Sequence, residues 1–525
     1  MKSQTISSFS AVVLAAALAV SEPAVAAAAA ARSGVAWQYV SSDVEVDKAF
    51  ALGRRTGKPI FLYWGAVWCP PCNQVKATLF SRSDFVERSQ AFIPVYVDGD
   101  KPGAQKVAAR FKVTGYPTMV LFKPDGTEIT RLPGEVDPQR YLLTLTAGME
   151  ADLPVKELLR KALLKQPLSA AQWKLLAYYS WDTDEQQVLS TQELPKKLSD
   201  LSALAPPDLV EVRERFGLKA LISFARGKPD TPMSLVETEA GLALVEQIIA
   251  DKSSVRRHSD IFVNYGNLLV ERLTRPGESR KGLAKRFDLA LGYIAQDSTL
   301  SHLDQIDVLG TRIGLWKAAD GSDNLVEAQK SQVLRQVAQV VSATTDRYER
   351  QAVVPGAAHA LSTAGLLQES DELLRRELGK AVAPYYHMLG LAGNAKRRND
   401  SKGALDWYEQ AWKKSEGSAT RIQWGTSYVG QAIDLAPTEI KRIQAGATAV
   451  IAELEPKGET FYERNQRSLS RMATRLVKWQ GSEPARVLAV EKIKGQVHNI
   501  CQRLKAGDVS RANCNAVLNS FFTRS

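Results

Sequence analysis

The sequence predicts an α/β domain over residues 35–150 followed by an all-α helical repeat or bundle over residues 155–525. Between Trp37 and Thr146, short apolar runs alternate with segments of helical spacing. From about Leu153 the strand signal fades, and leucine and alanine recur at helical intervals, as in Leu242, Val245, Ile248 and Ile249. Breakers such as Pro206-Pro207, Gly227-Lys228-Pro229, Pro276-Gly277 and Pro355-Gly356 cut that region into helices. A chain of 525 residues is too long for one core, and its 45% apolar and 24% charged content is ordinary for globular proteins.

Residues 1–26 have the pattern of a secretory signal. Lys2 gives the positive start, Ala11 to Val20 the short apolar stretch, and Ala24-Val25-Ala26 a small-residue cleavage site. An uncleaved anchor helix is the alternative, but the apolar run is shorter than the roughly 20 residues a span requires. With no later membrane span, a soluble periplasmic or secreted protein is expected.

In the α/β part, Trp37 to Val40 suits an edge strand and Val44 to Gly53 a helix with Ala49, Phe50 and Leu52 inward. Ile60 to Trp64 has the composition of a buried strand. The segment Cys72 to Phe80 fits a helix, with Val75 and Leu79 on one face, and a short helix starts near Asp84. Phe92 to Val97 is the next strand, ending at Asp98-Gly99. Pro102 to Phe111 suits a helix with proline in its first turn. Thr118 to Phe122 and Glu128 to Leu132 are strands joined by the turn Pro124-Asp125-Gly126, and Pro138 to Thr146 is a closing helix.

Between the buried strand and its helix stands Trp68-Cys69-Pro70-Pro71-Cys72. At a helix start, free N–H groups and the helix dipole favour a thiolate, lowering a cysteine pKa from about 8.5 to roughly 3.5–7.5. Two intervening residues let Cys72 attack a disulfide formed at Cys69. Zinc and haem sites share the spacing, but zinc needs four ligands. No second C-x-x-C and no histidine lies in the first 250 residues, and Asn73 follows Cys72. A redox dithiol with no metal and no cofactor is the expectation.

The run from Lys58 to Thr146 resembles the thioredoxin superfamily, through Trp68 to Cys72 and through Gly115-Tyr116-Pro117-Thr118. Gly57-Lys58-Pro59 and Leu79 to Phe85 are similar to the periplasmic C-terminal domain of the bacterial transmembrane thiol-disulfide reductase. Tyr116 is similar to protein disulfide isomerases. The resemblance implies an α/β thioredoxin fold, Pro117 as a cis-proline facing the dithiol, and Trp68, Tyr116 and Pro117 as walls of a substrate groove. Pro70 and Pro71 would shape the helix start and tune the reduction potential. Two departures stand out: Tyr63 occupies the position of a buried proton-transferring acid, and Pro94 that of a lysine partner.

Cys501 and Cys514, thirteen residues apart, suit a structural disulfide in an oxidising compartment, worth about 3 kcal/mol for so short a loop. A relay pair, or a soft metal site with His498, are the competing readings. Tyr385 to Ser418 is similar to a tetratricopeptide repeat, with Leu391, Ala392, Ala404, Tyr408 and Ala411 at its small and aromatic positions. Trp407, Trp412 and Trp424 are expected in the core. The net charge of +11 includes clusters such as Arg256-Arg257-His258 and Lys396-Arg397-Arg398. Without a nucleic-acid motif these suit solvated helix faces.

These observations point to an exported thiol-disulfide oxidoreductase, leaning reductase or isomerase. Cys69 would be the exposed nucleophile and Cys72 the resolving thiol. Its partners would be protein substrates with cysteines or disulfides and a redox partner protein, with no nucleic acid. The alternative is a periplasmic helical scaffold or chaperone-like binder in which the dithiol is accessory. Delivery of thiols or copper to a metalloprotein is a third possibility.

Overall fold

Every residue of the strand Ile60–Gly65 is buried, which an unbroken apolar run covered on both faces achieves without polar alternation. The computed structural model describes residues 34–134, 137–184, 186–227, 235–454 and 458–522. The signal expected over residues 1–26 lies outside the described residues. Five strands, β1 (Gln38–Val40), β2 (Ile60–Gly65), β3 (Ile93–Asp98), β4 (Thr118–Phe122) and β5 (Glu128–Leu132), form one sheet in the order β1-β3-β2-β4-β5. β3 runs parallel to β1 and β2, whereas β4 is antiparallel to both β2 and β5.

Alternation along β2 sends Ile60, Leu62 and Trp64 to one face and Phe61 and Tyr63 to the other. The first set packs with Val46, Ala49 and Phe50 of helix α1 (Asp43–Thr56). The second meets α2 (Pro70–Val75), α3 (Ser83–Ser89) and, beyond α4 (Ala104–Arg110), α5 (Pro138–Met149), through Val75, Phe85, Tyr141 and Leu145. Val107 and Ala108 of α4 join the first face. Ser42 starts α1 with a reciprocal capping box to Glu45. Asp137 caps α5 by accepting from the N–H groups of Gln139 and Arg140. Pro94 is tolerated inside β3 because pairing with β1 begins only at Val95. The helix expected over Cys72 to Phe80 divides: after Val75 the turns widen into a π segment, Lys76–Phe80, where Thr78 Oγ1 donates to the Gln74 carbonyl.

Beyond α5 the chain is helical. Leu158, Trp173, Leu198 and Phe216 from the first of these helices share one core with Phe61, Leu121 and Leu145 of the sheet domain. The segment from Gly148 to Pro154 is therefore packed between two parts of a continuous core. Later helices return to the domain. Arg347–Thr363 packs on α2, Glu463–Gln480 packs on α4, and the N-terminus of Ser418–Leu435 abuts Asp100. The helix pair Pro384–Arg397 and Ser401–Lys414 buries Leu391, Ala392, Ala404 and Ala411 and half-buries Tyr408.

One expectation needs correction. Arg256-Arg257-His258 is not a solvated face: His258 is fully buried against Glu214 (3.0 Å), and Arg256 pairs with Asp297 (2.5 Å) and approaches Asp137 of the sheet domain at 3.7 Å. Cys501 and Cys514 are joined in a disulfide between Pro484–Arg503 and Val509–Asn519, in a core cluster apart from that of Cys69 and Cys72. Among the described residues, no helix is long and apolar enough to cross a membrane.

Candidate active site

Cys69 is the N-cap of α2, and its Sγ accepts a hydrogen bond from the Cys72 N–H at 3.2 Å. Pro70 fills the first helical position, where a missing N–H costs nothing. The two cysteines are disulfide-bonded with Cα atoms 5.2 Å apart, so the structure describes the oxidised form. A sulfur at this cap gains from the same N–H when it becomes a thiolate.

The antiparallel pairing of Trp64 with Thr118 brings the Tyr116–Pro117 segment beside the motif. The Tyr116–Pro117 peptide bond is cis. The Tyr116 ring lies 5.2 Å from Trp64 and 5.3 Å from Trp68, centroid to centroid. Burial pushes the Tyr116 hydroxyl well above its ordinary pKa. Gly99 permits this seat, since a Cβ there would fall 1.9 Å from the Tyr116 hydroxyl.

Beneath the motif, where the resemblance would have an acid, Tyr63 is buried among aromatic rings. Tyr96 stacks on it at 5.0 Å, with Phe80 at 4.9 Å and Trp37 at 5.6 Å. Burial drives its hydroxyl far above the ordinary range, so Tyr63 is no proton carrier near neutrality. Lys76 sits 5.1 Å from the Tyr96 ring, its pKa lowered by burial against the opposing pull of Asp98.

Helices distant in sequence complete the site. Asp100 accepts hydrogen bonds from Trp68 Nε1 and from the Thr420 N–H (3.1 Å) and hydroxyl (2.9 and 2.8 Å). Burial raises its pKa more than these donors lower it. Tyr386 stacks on Trp68 at 6.0 Å, and Trp424 stands 5.6 Å beyond it. The Arg464 guanidinium lies 5.1 Å from the Trp68 ring and 4.8 Å from that of Tyr116. Gln74 Nε2 donates to Ser301 Oγ (3.3 Å) and Asp304 Oδ1 (3.2 Å).

This cover corrects the expectation of an exposed nucleophile: Cys69 is only 1% exposed and Cys72 0%. It also changes the reading of the tryptophans. Trp412 is buried in a core, but Trp407 and Trp424 are half-buried, and Trp424 belongs to the active-site wall.

The family model for a thioredoxin-like domain matches residues 46–148. Thioredoxin of Mycolicibacterium smegmatis is 32% identical over 79 residues, 15% of this chain and 68% of that protein. The chain belongs to the thioredoxin family. Its thioredoxin domain is also 30% identical over 120 residues to the thiol:disulfide interchange protein DsbD of Pseudomonas fluorescens, covering 22% of this chain and 21% of that protein. The chain thus spans about a fifth of the length of that relative. Oxidised thioredoxin O1 from Arabidopsis thaliana is a solved structure 24% identical, covering 23% of this chain and 100% of that chain, with a TM-score of 0.18. Membership of the thioredoxin family supports thiol–disulfide exchange as the class of chemistry for the Cys69–Cys72 region.

Trp68, Tyr116 and Pro117 lie together beside the dithiol of the thioredoxin domain, and Pro70 and Pro71 open its helix. Asp100, Tyr386, Thr420 and Arg464 escaped the sequence reading. Asp100 follows a strand end that was legible, but the other three lie hundreds of residues away with no local motif.

Proposed function

We propose that this protein is an exported thiol–disulfide oxidoreductase of the reductase or isomerase type, acting on cysteines and disulfides of protein substrates. The observation that carries this reading is the Cys69–Cys72 pair at the start of α2 beside Tyr116–Pro117. In the reducing direction the Cys69 thiolate attacks one sulfur of a substrate disulfide, forming a mixed disulfide and releasing one substrate thiolate. The Cys72 thiolate then attacks Cys69 Sγ, closing the enzyme disulfide and releasing the second substrate thiolate. Two electrons pass to the substrate, whose two thiolates take up two protons. A dithiol partner protein restores the enzyme by the reverse exchange.

Trp68, Tyr116 and Pro117 form the substrate walls in this reading, while Pro70 and Pro71 fix the helix start. Export is supported by the signal-like pattern of residues 1–26 and fits a periplasmic or secreted protein. A tetratricopeptide-like character for the helical region over residues 155–525 fits the helix pair at 384–414. The helical cover over Trp68 also favours a second reading, in which that region binds the client and the dithiol is accessory.

A Cys72→Ser variant tests the first reading, because mixed disulfides formed at Cys69 then persist. Recovery of a few defined proteins from a periplasmic extract is expected. An empty trap from a folded variant, together with full function of a Cys69→Ser, Cys72→Ser variant in the cell, would leave only the scaffold reading.

A further inference from the structure

The attack that closes the Cys69–Cys72 disulfide needs Cys72 as a thiolate, and Cys72 is fully buried. Burial among apolar groups raises a thiol pKa, so this sulfur needs a cation or a base nearby. The phenols beneath the motif supply neither. The hydroxyls of Tyr63 and Tyr96 have no hydrogen-bond partner among the described residues, and burial holds both far above the ordinary pKa range, so both stay neutral.

Lys76 is a cation one helical turn after Cys72. Its N–H donates to the Cys72 carbonyl, and its own backbone is still helical (φ −62°, ψ −45°). Residues four apart on a helix have Cβ atoms roughly 5–6 Å apart, and a helical side chain leans back toward the helix N-terminus. The Lys76 stem is therefore directed along the face that carries Cys72. That face is the inner one: Lys76 is half-buried with its ammonium 5.1 Å from the Tyr96 ring, and Tyr96 shares a core cluster with Cys72. Among the described residues no carboxylate forms an ion pair with Lys76. Asp98, at the end of β3, is the charged group whose field acts on it, and the helix Arg347–Thr363, packed on α2, adds none. Burial lowers the Lys76 pKa against the pull of Asp98, and an anion nearby would raise it again. The oxidised form holds no such anion at the dithiol, whereas reduction creates one a helical turn away.

We infer that Lys76 is a positioning residue for thiol–disulfide exchange, whose ammonium stabilises the Cys72 thiolate and so speeds resolution of the mixed disulfide at Cys69. This deepens the oxidoreductase reading above and rests on Cys72 as the resolving thiol. In that step the Cys72 proton has gone to solvent, and the thiolate bonds to Cys69 Sγ. The bond between Cys69 and the substrate sulfur breaks, and its electron pair leaves on the substrate sulfur, which takes a proton from water. Lys76 stays protonated throughout. A fixed positive charge serves here in place of a proton acceptor, so no acid is required at position 63.

The test is the pKa of Cys72 in the full-length Cys69→Ala chain, followed by the ultraviolet absorbance of the thiolate. Alanine is neutral there, as Cys69 is in a mixed disulfide, and Cys501–Cys514 stay joined, so Cys72 is the lone thiol. A unit charge acting over about 10 Å at an effective dielectric constant of about 20 moves a pKa by roughly one. Adding Lys76→Met should therefore raise the Cys72 pKa by about one, whereas Lys76→Arg, which keeps the charge, should leave it near the Cys69→Ala value. Lys76→Gln provides a second neutral variant of different packing. A pKa unmoved by both neutral variants, or raised as much by Lys76→Arg as by Lys76→Met, would overturn the inference. Turnover of bis(2-hydroxyethyl) disulfide by the prereduced wild-type chain is measured alongside, each event converting the enzyme dithiol to its disulfide and the substrate to two thiols. Normal turnover with an unmoved pKa removes the inference alone. No turnover removes the reading of Cys72 as the resolving thiol, and the inference with it.

Discussion

His387 follows Tyr386 on the helix Pro384–Arg397 and is 2% exposed, with no partner for Nδ1 among the described residues. Burial lowers its pKa to about 4, against a weaker opposing pull from Glu377. An unfolded histidine titrates near 6.5. The folded pKa is depressed, so from about pH 6.5 down to 4 the unfolded chain binds the proton first and stability falls. The loss approaches about 3 kcal/mol at the lower end. His387→Gln removes this titration, and its melting temperature should vary less between pH 7 and pH 4 than that of the wild type. Parallel curves would refute the assignment. At this scale legibility follows sequence distance. Trp68, Cys69 and Cys72 form a contiguous motif, and Tyr116-Pro117 another, so both could be read. Arg464 carries no local signal, because its meaning comes from two rings nearly 350 and 400 residues earlier.

Elements were legible where period and punctuation agree. Ile60–Gly65 and Thr118–Phe122 are apolar, β-branched or aromatic runs between breakers, and they form where expected. The α2 segment was legible as a helix but not as an α turn followed by a π turn, since both leave Val75 and Leu79 inward. The docking of the helix Ser418–Leu435 could not be read at all. Its preceding residue, Gly417, has φ +86°, and a Cβ there would lie 2.5 Å from Asp100 Cγ. Gly57, after α1, also has a positive φ (+69°) but has open space around its Cβ position. The two differ in backbone as well as in contact, since Gly57 is left-handed helical (ψ 10°) and Gly417 is not (ψ 135°). Gly57→Ala should cost about 1–2 kcal/mol from the left-handed backbone alone. Gly417→Ala adds displacement of Asp100 from Trp68 and Thr420, for a total of roughly 3 kcal/mol or more. Urea midpoints at a common m-value measure both, and equal costs would mean that the Asp100 contact is easily rearranged.

For the molecule as a whole, the arrangement sets chemical reactivity against access. The cap position favours the Cys69 thiolate, and thiolates alkylate fast. The helical cover leaves Cys69 1% exposed, and attack requires that cover to open. Which effect dominates follows from the connections between the two parts. Asp100 links Trp68 to Thr420, Arg464 spans Trp68 and Tyr116, and a single apolar core runs from Phe61 and Leu145 to Phe216 and Tyr385. Closing therefore buries both polar and apolar surface, and the open form is the minor one. The reduced chain should react with iodoacetamide at Cys69 at least tenfold more slowly than a short Trp-Cys-Pro-Pro-Cys peptide at equal thiolate fraction. Asp100→Ala leaves Trp68 Nε1 and the Thr420 N–H without their acceptor, a loss of roughly 1–3 kcal/mol in the closed form. The alkylation rate should rise about five- to a hundredfold with little change in the thiolate titration. Were the wild-type rate already that of the peptide, the helical region would stand open in solution and large substrates would need no gate.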